Sequence, residues 1–190
     1  MLPPACPPVF QKDGYTLRPA APEDAEAYYR QNYCPLDAEA ARLTGAKAAF
    51  SRDEVVRFFH FSIDDPDRRY YLLQAPDGTI AGEGVVNEID WALRSANLRL
   101  VIFRPAHRGR GLGTWMVRCL RDLAFETLSL HRLSLDVFSF NPRARAVYEK
   151  CGFRVEGVLR HAVQDGGAWA DDILMAMLED EWRQARAEGR

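Results

Sequence analysis

The spacing of apolar residues along the chain separates predicted strands from predicted helices. Runs of aliphatic, β-branched and aromatic residues predict strands over 15–19, 70–74, 80–89, 96–103, 132–138, 154–160 and 172–178. Apolar residues three and four positions apart, together with capping residues, predict helices after Pro22, over 51–63, over 112–126 and after Asn141. Residues 34–50 are rich in alanine and carry no period that decides between helix and loop.

The order of these elements predicts a mixed α/β (α+β) domain. The strands over 96–103 and 132–138 are connected through the helix over 112–126, and such a crossover makes two strands parallel. Residues 14–190 are therefore expected to form a single domain that ends in a polar, frayed helix. Residues 1–13 are rich in proline and are expected to be a flexible N-terminal arm.

Composition and charge exclude several classes of protein. The 25 basic and 27 acidic residues give a net charge of −2, which argues against a nucleic-acid partner. No segment approaches the ~20 apolar residues of a membrane span, and the first residues lack the pattern of a signal peptide. We therefore expect a cytoplasmic protein with no membrane partner. The four cysteines have neither a CxxC spacing nor a histidine at a ligand spacing, so no metal site is expected.

A glycine-rich segment, Arg108-Gly-Arg-Gly-Leu-Gly-Thr114, joins a predicted strand to a predicted helix. The three glycines allow a tight turn and a close approach by a ligand. The free amides and the dipole of the helix N-terminus, together with two arginines, favour a phosphate or pyrophosphate. The turn has neither the lysine of a P-loop nor the glycine spacing of a dinucleotide fingerprint. Two alternatives stay open on this evidence alone: the segment is a plain structural turn, or the protein binds another kind of nucleotide.

Two motifs together resemble those of the GNAT N-acetyltransferases. The segment Arg108-x-x-Gly111-x-Gly113 is similar to the acetyl-CoA-binding motif of that family, and Asn141-Pro-Arg-Ala-Arg-Ala-Val-Tyr-Glu-Lys-Cys-Gly-Phe153 is similar to its later motif. The segment from Val155 onward resembles the branch that contains the ribosomal-protein N-terminal (Rim-type) and spermidine acetyltransferases. The resemblance implies a mostly antiparallel mixed sheet, flanked by helices, whose central parallel pair splays apart to hold acetyl-CoA.

The resemblance also implies which residues contact acetyl-CoA. The pantetheine arm is expected along the strand residues Val101, Ile102 and Phe103. The pyrophosphate is expected on the glycine-rich turn, at Arg108, Gly109, Arg110, Gly111, Leu112, Gly113 and Thr114. Asn141 matches the family asparagine that contacts the pantetheine arm, although an asparagine before proline is also a good helix N-cap. Arg143 is a candidate ligand of the 3′-phosphate.

Acetyl transfer from a thioester to an amine needs a proton acceptor, a stabilised oxyanion and a proton donor for the leaving thiolate. Tyr148 matches the family tyrosine near the CoA sulfur and is the predicted general acid, with an ordinary core tyrosine as the alternative. Glu88 is the predicted general base. Glu83 and a chain of water molecules are the alternatives to it. The oxyanion donor is expected to be a backbone N–H of Ile102 or Phe103, which the sequence does not distinguish.

The sequence thus predicts an enzyme that moves an acetyl group from acetyl-CoA to a primary amine by direct attack in a ternary complex. The branch resemblance favours a peptide or protein N-terminus as the acceptor. A polyamine, another small amine, and a binding module that has lost turnover are the alternatives. Dimerisation is common in that branch, so the resemblance also allows a homodimer.

Overall fold

A single mixed sheet organises the part of the chain that the computed structural model describes, residues 7–188. The strands are β1 (Phe10–Lys12), β2 (Tyr15–Pro19), β3 (Arg69–Gln74), β4 (Ile80–Asp90), β5 (Ser95–Ile102), β6 (Arg132–Phe138), β7 (Arg154–Asp165) and β8 (Ala168–Leu178). The helices are α1 (Ala25–Asn32), α2 (Ala38–Thr44), α3 (Arg52–Asp64), α4 (Leu112–Asp122), α5 (Pro142–Lys150) and α6 (Glu179–Ala187). Across the sheet the strand order is β1-β2-β3-β4-β5-β6-β8-β7.

The sheet is antiparallel except where β5 meets β6. These two strands pair in parallel only from Ser95 opposite Arg132 to Asn97 opposite Ser134. Beyond that point β5 continues to Ile102 against β4, while β6 continues to Phe138 against β8. The parallel pair therefore separates, as expected, and leaves a gap in the middle of the sheet.

Hydrophobic clusters cover both faces of the sheet. In β3, Tyr71 and Leu73 join the larger cluster with residues of α4, whereas Tyr70 and Leu72 join a second cluster with residues of α1 and α3. Because neighbouring strand residues point to opposite faces, a strand that is buried on both sides has an almost continuous apolar sequence, as Tyr70–Leu73 does. The packing of helices against both faces fixes the sheet, and with it the position of the gap.

Two segments contain elements that were not predicted from the sequence. Part of the N-terminal arm was expected to be flexible, and residues 34–50 were left undecided between helix and loop. Residues 10–12, predicted as part of the arm, form β1, where Phe10 lies opposite Leu17; the prediction for residues 1–6 lies outside the described residues. Part of the alanine-rich segment forms α2, because Asp37 accepts the Ala40 N–H at 2.8 Å as an N-cap. Gly45 then ends this helix with a φ of 68°.

The C-terminal helix is also more firmly attached than its polar sequence indicates. In α6, Trp182 is only 8% exposed and stacks on Phe125 with a ring separation of 5.5 Å. The Trp182 indole N–H donates to the Asp122 carboxylate at 2.8 Å. One large aromatic anchor, together with the buried Ala185, therefore holds a helix that is otherwise polar, and the expectation of a frayed helix was wrong for residues 179–187.

Candidate active site

The gap between β5 and β6 opens into a cleft of about 260 Å³. Residues 98–102 of β5 and 136–138 of β6 form two of its walls. The remaining walls come from α2, the glycine-rich turn and α5, and their lining residues are Ala40, Leu43, Thr44, Arg108, Gly109, Gly113, Asn141, Arg143, Ala144, Val147 and Tyr148. The two predicted motifs therefore meet at one site, although 28 residues separate Gly113 from Asn141 in the sequence.

The glycine-rich turn presents open backbone at the start of α4. Gly109 and Gly111 both have a φ of 74°, a left-handed conformation that glycine adopts without steric cost. A Cβ atom added to either glycine would have no atom within 4 Å outside its chain neighbours. The first amides of α4 have no partner inside the helix, and its dipole adds positive potential. The turn thus suits a phosphate group on chemical grounds.

Arg108 of the turn and Arg143 of α5 already have acidic partners at the start of α2. The Arg108 guanidinium donates to the carbonyls of Ile102 and Phe103 at 3.0 and 2.7 Å, to Asp37 at 2.7 Å, and to Glu39. Arg143 donates to the other oxygen of Glu39 at 2.6 Å. The side chain of Arg108 therefore ties the end of β5 to α2, and a phosphate near Arg143 would compete with Glu39.

Tyr148 projects from α5 into the cleft and is 7% exposed. Burial raises its pKa to about 12, and the nearby Asp136 carboxylate and Cys151 thiol act in the same direction. Within residues 7–188 its hydroxyl has no hydrogen-bond partner, and its ring meets Phe153 edge-on at 6.1 Å. The site thus contains a phenol that stays protonated and whose hydroxyl is not committed to the protein.

Asn141 has the capping role that its sequence context indicates. Its side-chain oxygen accepts the Ala144 N–H at 3.2 Å and so begins α5 immediately after the strand β6. The same residue lines the cleft. The cap fixes the position of the side chain and leaves its amide N–H₂ group available to a ligand, so contact with the pantetheine arm stays a prediction.

Strand geometry chooses between the two predicted oxyanion donors. The Phe103 amide donates to the Ala81 carbonyl of the neighbouring strand region at 3.0 Å. Along an antiparallel strand, successive backbone N–H groups point to opposite sides. The Ile102 amide therefore points away from β4 and toward the gap, where β6 has already turned away.

The predicted base, Glu88, lies away from the cleft. It sits in a bulge of β4, between the Asn87 and Asp90 pairings with β5, and it has a φ of 55°. Its carboxylate accepts the Asn87 side-chain N–H at 3.2 Å and is exposed. It lines no part of the cleft formed by the described residues. Glu83, the alternative, is not among the lining residues either, but it lies opposite Val101 of β5, which is a cleft residue.

The structure brings only part of the predicted cofactor site to the cleft surface. Val101, Ile102, Arg108, Gly109, Gly113, Asn141 and Arg143 line the cleft together with Tyr148, whereas Phe103, Arg110, Gly111, Leu112 and Thr114 do not. Phe103 and Leu112 are both 2% exposed and belong to the core, so their side chains are not available to a ligand, and the Phe103 backbone is already paired with Ala81 and Arg108.

Sequence analysis missed the α2 wall and Asp136. The helix signals of α2 were present, since Asp37 and Gly45 stand where an N-cap and a left-handed terminator are expected. Asp136 gave no signal, because a single acidic residue in a strand is ordinary. Among residues 7–188 no three His, Cys, Asp or Glu side chains gather as a metal site requires, and no helix in this range is long and apolar enough to cross a membrane.

The splayed parallel pair, a turn that suits a phosphate and a phenol whose hydroxyl has no partner among residues 7–188 are compatible with an acyl-transferring enzyme that takes an extended phosphorylated thioester. Comparison with known families agrees, because residues 15–154 match the acetyltransferase (GNAT) domain. The chain belongs to the GNAT acetyltransferases and is an N-acetyltransferase with acetyl-CoA as its cosubstrate.

Several relatives share both sequence and fold with the chain. A spermidine N(1)-acetyltransferase of Vibrio cholerae is 30% identical over 132 residues, which are 70% of this chain and 76% of that protein. A spermidine N(1)-acetyltransferase of Escherichia coli is 32% identical over 120 residues, 63% of each chain. The structure of the Vibrio cholerae enzyme with CoA and spermine is similar with a TM-score of 0.80 and 26% identity, over 90% of this chain and 99% of the other.

Proposed function

We propose that the chain is a polyamine N-acetyltransferase, which transfers the acetyl group of acetyl-CoA to a primary amine of a molecule such as spermidine. The observation that carries this proposal is the likeness to the Vibrio cholerae spermidine enzyme over 90% of the chain. The polyamine acceptor replaces the peptide N-terminus favoured by the sequence, because relatives named as spermidine N(1)-acetyltransferases are similar to the chain in sequence and a spermidine enzyme is similar to it in structure.

Acetyl-CoA fits the cleft between β5 and β6. Its pantetheine arm has a strand edge to follow at Val101 and Ile102, where β5 has lost its partner β6. Its pyrophosphate suits the amides from Gly109 to Thr114, where a Cβ atom added at Gly109 or Gly111 would have no atom within 4 Å outside its chain neighbours. Asn141 and Arg143 line the same cleft, so Asn141 would hold the arm, and Arg143 would hold the 3′-phosphate once Glu39 has released it.

Acetyl-CoA supplies a thioester whose acetyl carbon is open to attack by an amine. The Ile102 N–H is directed to the gap and would stabilise charge on the thioester oxygen. The Tyr148 hydroxyl would give its proton to the departing sulfur, since nothing within residues 7–188 holds that proton elsewhere. This tyrosine would be protonated throughout the physiological range, because burial raises its pKa to about 12.

The cleft contains a carboxylate that suits a cation. Asp136 lines the cleft and raises the pKa of both Tyr148 and Asp172, so its charge acts on the site. A polyamine carries several ammonium groups, and one of them would interact with Asp136 while another reacts.

A peptide N-terminus is the second candidate acceptor. YdaF of Bacillus subtilis, named provisionally as a ribosomal N-acetyltransferase, is 31% identical over 106 residues, which are 56% of this chain. A polyamine and a peptide N-terminus differ in charge and length. Competition between them for the enzyme therefore identifies the preferred acceptor.

We further propose that copies of the chain associate through the edge of the sheet. β7 is the outermost strand, and its Val158 and Leu159 are 48% and 49% exposed, while Trp169 on β8 is 60% exposed. An exposed apolar sheet edge favours pairing with a second chain. The Vibrio cholerae enzyme forms a dodecamer.

The acceptor is tested by incubating the protein with acetyl-CoA and equal amounts of spermidine, a set of free-N-terminal peptides and an aminoglycoside. Acetylated products are identified by mass, because the cysteines of the chain would disturb a thiol-release assay. We expect acetylspermidine as the main product. The KM for spermidine should be lower in the wild type than in Asp136→Asn. Acetylated peptides without acetylspermidine would instead establish the second candidate.

A further inference from the structure

Glu83 is a carboxylate in the middle of β4 that the mechanism above leaves without a role. Its Oε2 atom accepts a hydrogen bond from the Tyr28 hydroxyl at 2.5 Å and another from the Tyr70 hydroxyl. Nothing within residues 7–188 donates to its other oxygen, Oε1, and the residue keeps some exposure. One oxygen is thus fixed by the protein, while the other is open to a further partner.

The position of Glu83 relates it to the reacting groups. It lies directly opposite Val101 in the antiparallel ladder of β4 and β5, and side chains of such a pair project on the same face about 5 Å apart. Val101 lines the cleft and packs on the second hydrophobic cluster, on the side of α1 and α3. The carboxylate is therefore one strand away from the expected thioester, whereas Glu88 lies beyond the end of the splayed segment.

The groups around Glu83 come from α1, β3 and β5 and from the segments next to α1 and β3. Tyr28 belongs to α1, Tyr70 to β3 and Arg99 to β5, while Arg68 precedes β3. Tyr33 follows α1, and its hydroxyl is 3.0 Å from that of Tyr28. Burial raises the pKa of Glu83 above its ordinary value, although the two hydroxyl donors and the two arginines oppose this shift. A carboxylate with a raised pKa is a stronger base than an exposed one.

We propose that Glu83, and not Glu88, takes the proton of the acceptor amine, at Oε1, while Tyr28 and Tyr70 hold Oε2 in place. This inference rests on the proposed placement of the amine in the cleft. The ammonium gives one proton to Glu83, and its nitrogen then forms a bond to the acetyl carbon as the bond from that carbon to sulfur breaks. Tyr148 gives its proton to the sulfur and regains one from the nitrogen, and Glu83 afterwards releases its proton to water.

The pH dependence of Glu83→Gln tests the inference. At pH 7 we expect its kcat/KM to fall roughly 100-fold, the size typical of a lost general base. The loss should shrink as the pH rises, because the free amine then no longer needs a proton acceptor. Affinity for acetyl-CoA and the Tm should stay near the wild-type values. A loss of equal size at every pH is what a merely structural role gives, and it would overturn the proposal.

Tyr70→Phe supplies a second variant that keeps the carboxylate. It removes one hydrogen bond to the charged form of Glu83 and so raises the pKa of this carboxyl. The acid limb of the pH profile of kcat/KM should therefore move to higher pH while most activity remains. The same displacement should appear in the free protein when the Glu83 carboxyl is titrated by NMR with ¹³C-labelled glutamate. If neither the acid limb nor the NMR titration of Glu83 moves, the assignment of Glu83 as the base is contradicted.

Glu88→Gln is measured beside these variants, since Glu88 is the rival base. A pH-dependent loss at Glu88 with an unaffected Glu83→Gln would overturn the proposal in favour of Glu88. All assays use whichever amine the wild-type protein acetylates. A wild-type protein that acetylates no amine contradicts the proposed function, whereas an active wild type with an unaffected Glu83→Gln contradicts only this inference.

Discussion

Burial changes two residues near the cleft in ways that suit opposite tasks. Tyr148 is removed from water beside the Asp136 carboxylate, and its pKa rises to about 12, so it stays protonated at neutral pH and is present as a proton donor when the thiolate leaves. Glu83 also loses water, and its raised pKa makes it a better proton acceptor. The same physical effect thus keeps the phenol protonated and makes the carboxylate a better proton acceptor.

Replacing Tyr148 by phenylalanine isolates its hydroxyl from its packing. The ring that meets Phe153 remains, so we expect a stable fold and an unchanged Kd for acetyl-CoA. The kcat should fall by about 100-fold or more, because the thiolate loses its proton donor. Acetylation rates and calorimetric titration with acetyl-CoA check this prediction. An unaltered rate would rule out Tyr148 as the general acid.

At the scale of elements, two helix ends and one short helix build the cofactor side of the cleft. α4 begins at the left-handed Gly111, and α5 begins at the Asn141 cap directly after β6. α2 closes the cleft from outside, and its Glu39 binds both Arg108 and Arg143. The phosphate side therefore has its positive charge partly neutralised by one carboxylate before any ligand arrives.

The substitution Gly111→Glu should weaken acetyl-CoA binding severely. A side chain at this position has free space around it, so the fold should tolerate it apart from the strain of a φ of 74°, about 1 kcal/mol. The carboxylate would stand at the expected pyrophosphate, and we expect a rise in Kd of roughly 100-fold. Gly111→Asn is the matched control, because asparagine tolerates this backbone and carries no charge. Equal affinity in a folded Gly111→Glu protein would contradict the placement.

Removing the charge of Glu39 should have the opposite effect. Glu39→Gln frees Arg143 from an ion pair whose partners are 69% and 44% exposed, and Arg108 keeps its other carboxylate partner, Asp37, so little stability is lost. We expect acetyl-CoA to bind a few-fold more tightly, with the gain reduced at high salt, where exposed charges are screened. Titration at two salt concentrations measures this. Weaker binding would indicate that Glu39 positions the arginines for the ligand instead of competing with it.

At the scale of the whole molecule, helices on both faces protect the sheet, but its β7 edge remains open. Apolar residues on β7 and β8 stay exposed, whereas most large apolar side chains of the described residues are buried in the two clusters. A monomer would leave this edge in water, and association would cover it.

Light scattering combined with size exclusion tests the association. We expect the wild type to be larger than the 21.6 kDa of one chain, and Trp169→Lys to shift the protein toward the monomer. Leu93→Lys is the control, because Leu93 is 72% exposed in the turn between β4 and β5, away from this edge. A monomeric wild type would contradict the proposed association.

The sequence by itself determined the order of the strands and helices other than β1 and α2, the parallel pair and the two motifs. Those features depend on residues close together in the chain, such as the Ser51–Glu54 capping box before α3 or the glycines before α4. Only the tertiary structure decided that α2 forms a wall of the cleft, that Trp182 anchors α6 and that Glu83 rather than Glu88 lies beside the cleft. These outcomes depend on strand register, on packing between distant segments and on desolvation, and none of them leaves a periodic signal in the chain.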